Sequence, residues 1–452
     1  MLFNYNTSTY SLNINGKYLN RFILSSLLIF ALTYFLTILT PSGDAVTSLI
    51  FSSLIGIIPV LLYSHILLKD SVCKKILIIA YIIKTIWGIV HYLYFIDPNY
   101  FNRPNIISIT NIDDYVAGFQ QISIYSKYSY LTLDIIKDHA IMPHPEMYAL
   151  MSLFYKNIGL YILTIVPINV ISSCFTATMI SYITKLRNGN FRLILFLCAC
   201  YPESLISSMY IRDLFAAVLV TFCICSVVLS TGWKRLLFII LSTYIISLQR
   251  LPYIIVPILA YIICLFSKSS GKNSKYTIYA FLALIISIAF GSQYFLGAFE
   301  GQESYMSSIS NILLYVLFPI RFIQCMIGPF PWSQAFETPL ASYYIQEFFL
   351  SAALFYTVYK IFPLYWKDIK AHRELDYMSV VGLLIMLIPI FSSSPHILYV
   401  GFGLVYLTPM FSRIKFSIKN FISFNVKFFA FMIVASFIWI SLKFGGTSSI
   451  FK

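Results

Sequence analysis

Charge is what this chain has least of. Of its 452 residues 11% are Asp, Glu, Lys or Arg, while 59% are hydrophobic, and the mean hydropathy is +0.82. A soluble domain carries roughly 25% charged residues, so a water-solvated globule is excluded and an integral membrane protein is indicated. The chain contains no P-loop, no G-x-S-x-G and no H-E-x-x-H, so nucleotide-driven transport and soluble-type hydrolysis have no support. A cleavable signal is not expected, because the polar stretch 1–20 precedes the first apolar run and no small-residue cleavage site follows it. Eight cysteines are present, but no disulfide framework. Cys174, Cys198, Cys200, Cys223, Cys225 and Cys264 fall in apolar runs, Cys73 in a basic turn and Cys325 in a late apolar segment. They read as small core residues, not as bridges or metal ligands.

What the chain does have is apolar runs, many of about 20 residues, the length that crosses a bilayer as a helix, with a shorter pair at Leu236–Leu248 and Leu251–Phe266. They fall at Arg21–Leu39, Val46–Leu68, Lys75–Phe95, Ile158–Thr184, Leu193–Met209, Leu214–Leu229, Leu236–Leu248, Leu251–Phe266, Tyr276–Phe295, Tyr344–Phe362, Met378–Phe391, Ile397–Met410 and Phe421–Ile440. Asn311–Met326, with Pro319 and Arg321 inside it and polar segments on both sides, reads as a re-entrant or interfacial helix. The expected fold is all-α: a polytopic membrane helix bundle of about 13 transmembrane spans. It forms one integral membrane domain over 1–452, with no internal repeat and no soluble domain.

The net charge of +14 does not imply a nucleic-acid partner, because the cations are not clustered as a polyanion site requires. They sit in alternate turns, around Lys17–Arg21, Lys69–Lys75, Lys185–Arg192, Lys234–Arg235, Lys268–Lys275, Lys360–Arg373 and Arg413–Lys419, beside only Asp70, Asp368, Glu374 and Asp376. The other set of turns is predominantly acidic. This is the positive-inside bias, and it puts the basic turns in the cytoplasm.

One interruption is too polar to cross a bilayer and too long for a tight turn: residues 97–157, the expected long outer loop. It holds Asp113 and Asp114, His139, His144, Glu146 and many tyrosines. A second outer segment, 296–342, contains the interfacial helix. Arg212, Asp213, Arg250, Arg321 and His396 are far apart in sequence, yet each falls at the outer end of its apolar run. Arginines at the hydrocarbon boundary are costly and usually face a cavity or a partner. Three of them converging make a site for an anion, and a lipid-linked phosphate or diphosphate suits the planar guanidinium fork. The plainer alternatives are pairing of Arg212 with Asp213 or Glu203, and snorkelling of Arg250 and Arg321 to headgroups. Asp113 beside Asp114 suits a general base, since a neighbouring carboxylate raises the pKa; the alternative is a turn or helix cap. His139, His144 and Glu146 read as loop hydrogen-bonders or substrate contacts rather than a metal set; the H-P-E run lacks the P-C-x-x-C of zinc deaminases. Lys84, deep in the third span and on one face with His91, is a functional candidate or a bundle ion pair.

Six segments together resemble a bacterial O-antigen or capsular repeat-unit polymerase. They are DDY at 113–115, HPEMY at 144–148, PINV at 167–170, YPESLISSMYIRD at 201–213, LQRLPY at 248–253 and GPFPW at 328–332. The resemblance covers Asp97–His396 and is one of spans and positions; the second outer segment departs from it in being acidic apart from Arg321. It implies transfer of a glycan from undecaprenyl diphosphate to the terminal sugar of the next lipid-linked repeat unit. Arg212, Arg250 and Arg321 would hold the diphosphate as it leaves, with His144, Glu146, Asp213 and His396 as further substrate contacts. Asp113 or Asp114 would deprotonate the acceptor hydroxyl while the donor sugar takes on oxocarbenium character. It also implies no cofactor and a bacterial cytoplasmic (inner) membrane location with the active site facing the periplasm or exterior. The implied partners are the undecaprenyl-diphosphate-linked oligosaccharide, membrane lipid, a chain-length regulator and a flippase, with no nucleic acid. The same features fit a glycosyltransferase using a polyprenyl-phosphate sugar. From another class, a lipid-linked oligosaccharide flippase would need many mid-span charges and two similar halves, whereas only Lys84 and Lys427 lie near mid-span.

Overall fold

The computed structural model describes residues 17–40, 43–91, 110–141, 145–159, 161, 164–199, 213–249, 253–269, 341–371, 373, 375–387, 397–414 and 416–444. Within them every regular element is helical. In chain order these are α1 (Lys17–Ile38), α2 (Ala45–Leu67), α3 (Ser71–His91), α4 (Thr110–Ser126), α5 (Leu133–Asp138), α6 (Pro145–Ile158), α7 (Ile165–Leu186) and α8 (Phe191–Ala199). There follow α9 (Asp213–Leu229), α10 (Trp233–Gln249), α11 (Val256–Ser269), α12 (Ala341–Lys370), α13 (Tyr377–Leu387), α14 (Ile397–Leu407), a 3-10 turn (Thr408–Arg413) and α15 (Ile418–Phe444).

Helices α1, α2 and α7 are long and apolar enough to cross a membrane, and α9, α11 and α13 are shorter apolar helices. Large apolar side chains such as Leu24, Phe35, Val46 and Leu54 face outward from α1 and α2. Only hydrocarbon solvates such a surface without the penalty of exposing it to water. The chain is therefore a helical membrane protein. The expected span Tyr276–Phe295 and the expected re-entrant or interfacial helix Asn311–Met326 lie outside the described residues.

The hub is α7. Along its most apolar stretch 94% of the residues are buried, against 33% in α1 and in α2, and it packs on α2, α3, α8 and α9. Small and hydroxyl side chains let neighbours approach it closely. The hydroxyls of Ser172, Thr178, Ser181 and Thr184 each donate to the carbonyl four residues earlier, so they are satisfied within their own helix. The expected span Ile158–Thr184 is α7, which begins later, at Ile165. α6 stops at Ile158, and Gly159 turns the chain at φ +107°, a conformation that side-chain-bearing residues rarely adopt. The tightest crossing pairs α13 with α14, where a Cβ on Gly403 would stand 2.3 Å from the Gly382 carbonyl oxygen.

Polar contacts between helix ends and turns define one end of the bundle. Arg21 donates to the Ile66 carbonyl at 3.0 Å, and Arg192 grips Asp70 at 2.9 and 2.6 Å. Arg187 meets Asp376 at 2.7 Å, and Arg413 binds both oxygens of Asp368 at 2.5 and 2.8 Å. Three of the four acids that the sequence put among the basic turns are thus paired there. Asp70 and Asp376 also cap helices: Asp70 accepts from the Val72 and Cys73 N–H groups, Asp376 from Ser379 N–H. The cysteines described (73, 174, 198, 223, 225 and 264) are all buried thiols outside any disulfide.

Candidate functional site

At the opposite end of the bundle, the described part of 97–157 is a helical cap instead of an open loop. α4 lies on α6, α5 lies against α6, and α6 wedges beside α1. Three polar latches hold the cap. Buried Gln121 donates to the His139 carbonyl at 2.8 Å and accepts from Ile141 N–H. Tyr125 donates to the Ile136 carbonyl at 2.6 Å, and the Tyr128 hydroxyl meets His139 Nε2 at 2.6 Å. His139 is therefore a loop hydrogen-bonder, one of the two roles the sequence allowed. The cap is fastened to the bundle by Asn157, which donates to Thr37 Oγ1 at 3.1 Å, and by Phe154, whose ring meets Tyr34 and Phe215 edge-on at 5.7 Å.

The candidate residues relate to this cap as follows. Asp113 and Asp114 lie near the start of α4, where the helix dipole favours negative charge. Glu146 is in the first turn of α6, half-buried, and close enough to act on Tyr125: burial first, and then the charge of Glu146, push that phenol up to about 12. Asp213 is the first residue of α9, directly after Arg212; α10 ends one residue before Arg250; α14 begins one residue after His396. Arg212, Arg250, Arg321, His144 and His396 themselves lie outside the described residues, as do the side chains of Asp113, Asp114 and Asp213. The helix ends next to Arg212 and Arg250 are the ends of α9 and α10 remote from their connecting turn at Ser230; α10 packs on α6, and α9 meets α6 through the Phe215 and Phe154 rings.

Two features were not singled out in the sequence, the Arg187–Asp376 pair and an apolar cavity, and a third, Lys84, finds its partner in the structure. Arg187 and Asp376 form a pair with side chains only 5% and 2% exposed. The signal for it was an Asp just ahead of an apolar run, which marks a helix N-cap. Lys84, 1% exposed, donates to Ser173 Oγ at 2.6 Å, so the intramembrane lysine contributes to a polar contact between α3 and the hub. An apolar cavity lies between α1, α2, α6, α7 and α9. Among the described residues no group of three or more His, Cys, Asp or Glu is arranged to hold a metal. No protein-family model, curated protein or solved structure matches the chain.

Proposed function

We propose that the protein is a membrane glycosyltransferase that polymerises undecaprenyl-diphosphate-linked oligosaccharide repeat units, in the manner of an O-antigen or capsule polymerase. In this reading a bundle of about 13 spans carries the active site at its non-cytoplasmic end. One juxtaposition carries the reading. α9, which begins directly after Arg212, meets α6 through Phe215 and Phe154, and α10, which ends one residue before Arg250, packs on α6, while Asp113, Asp114 and Glu146 belong to the cap built on that helix. Cations near the membrane boundary under an acidic cap are what transfer from a lipid diphosphate requires: donors for the departing phosphate oxygens, and a base for the incoming hydroxyl. The opposite end has its described acids consumed in ion pairs and helix caps, so it offers no comparable base.

A polyprenyl-phosphate-sugar transferase would use the same residues with a monophosphate donor, and glycan length separates the two. Deletion of the gene collapses the surface polysaccharide ladder to a single repeat if the protein polymerises, and alters composition or blocks assembly if it adds one sugar or flips the lipid. Arg212→Ala and Arg250→Ala are each expected to abolish long chains while the protein still accumulates in the membrane. Normal ladders from both variants refute the arginine site.

A further inference from the structure

Directly against the cap lies a cavity of about 220 Å³, walled by α1, α2, α6, α7 and α9. Thr37, Phe154 and Phe215 line its cap side, and Phe30, Pro59 and Phe175 line its deeper part. Its few hydroxyls are already used: Ser52, Ser172 and Thr33 each donate to a carbonyl of their own helix. A water needs two to four polar partners, so a cavity of this lining stays dry and takes hydrocarbon. Left empty, it would forfeit dispersion contacts along its whole wall. Two walls, α1 and α2, are also the helices with large lipid-facing surfaces, so an aliphatic chain has only to move sideways from the bilayer.

The position of the cavity selects the chain. α9 contributes Phe215 and Val218 to the wall and begins at Asp213, directly after Arg212; α6 contributes Phe154 and starts with Pro145–Glu146. The cavity is thus continuous with the elements that carry the candidate headgroup ligands, whereas a bulk phospholipid has the whole outer surface of α1 and α2 available to it. We infer that this cavity holds the diphosphate-proximal isoprene units of the polyprenyl carrier. The inference rests on the lipid-diphosphate reading above. It makes affinity depend on the first part of the tail, with the distal isoprenes left in the bilayer.

The test fills the cavity without removing any helix-to-helix hydrogen bond. Ser52→Phe and Ser172→Phe add bulk at hydroxyls that bond only within their own helices. Full-length protein in nanodiscs is titrated with undecaprenyl diphosphate, and with inorganic diphosphate as a headgroup probe; thermal unfolding reports whether the variants are folded. The double variant is expected to bind undecaprenyl diphosphate at least about tenfold more weakly, with inorganic diphosphate and the melting temperature unchanged. Equal binding of undecaprenyl diphosphate by variant and wild type overturns the inference and leaves the proposed function standing. Failure of the wild type to bind it overturns both. Loss of a co-purifying phospholipid from the variant, with carrier binding unchanged, assigns the cavity to a bilayer acyl chain and also overturns the inference. If the double variant unfolds, photocrosslinking of wild type by a diazirine-bearing undecaprenyl diphosphate decides: adducts on Thr33, Phe154 or Val218 uphold the inference, and adducts confined to other helices overturn it.

Discussion

Asp376→Asn removes one charge from the best-buried ion pair in the described bundle and changes little else. Asp376 has two roles. One oxygen accepts from Ser379 N–H at 3.1 Å and caps α13; the other is 2.7 Å from the Arg187 guanidinium at the end of α7. That second contact lacks the alignment of a hydrogen bond, so it is chiefly Coulombic. Each charge also sits at the helix end whose dipole favours it. Asn caps a helix about as well as Asp, so the cap survives the substitution. What is lost is the countercharge of a guanidinium that is 5% exposed. Breaking a buried pair in this way costs up to about 3–5 kcal/mol. Asp376→Ala should cost about 1 kcal/mol more, because the cap goes too. Arg187→Met in the Asp376→Asn background should recover much of the loss, since the pair then disappears from both sides. The assay is reversible unfolding of the purified full-length chain by SDS titration in mixed micelles, run as a double-mutant cycle. A coupling of at least about 1 kcal/mol is expected, nearly independent of ionic strength because the pair is shielded from solvent. The reasoning fails if Asp376→Asn lies within about 0.5 kcal/mol of wild type, or if the two substitutions are additive.

Gly403→Ala should push α13 and α14 apart, because its Cβ would stand 2.3 Å from the Gly382 carbonyl; a loss of about 1–3 kcal/mol or more is expected in the same titration. Ser173→Ala removes a hydrogen bond to the buried Lys84 ammonium and should cost about 1.5–3 kcal/mol, with Ser173→Thr milder. Asp70 gives a pH signature. Burial opposes its charge, but Arg192 and the Val72 and Cys73 N–H groups outweigh this and hold its carboxyl below the usual range. A depressed carboxyl contributes stability that is present above its unfolded value and is lost as pH falls through the folded one. The stability gap between wild type and Asp70→Asn should therefore shrink on acidification below about pH 4. With Arg192 51% exposed that gap stays within about 1 kcal/mol, and a gap unchanged at low pH would show that the pair contributes nothing.

Hydropathy is a one-dimensional property, and what depends on it was readable from the chain. Helical runs long enough to cross a bilayer and the placement of cations in alternate turns need only local counting, because the bilayer imposes length and end charge on each helix separately. Span edges were less legible. The reading Tyr344–Phe362 is a helix that runs through Pro363 to Lys370, and the described residues of the interruption at 97–157 form three helices, since the latches of Gln121 and Tyr125 to residues 136–141 are tertiary contacts. The types of the charged residues were in the sequence, but not which of them are already spoken for. Asp376 looked like one more turn residue and is the buried partner of Arg187. Lys84 was visible as a charge in an apolar span, yet only folding brings Ser173 to it. The cavity against the cap had no sequence signal at all, because a void arises where five helices fail to fill the space between them, and no one of them encodes that shape.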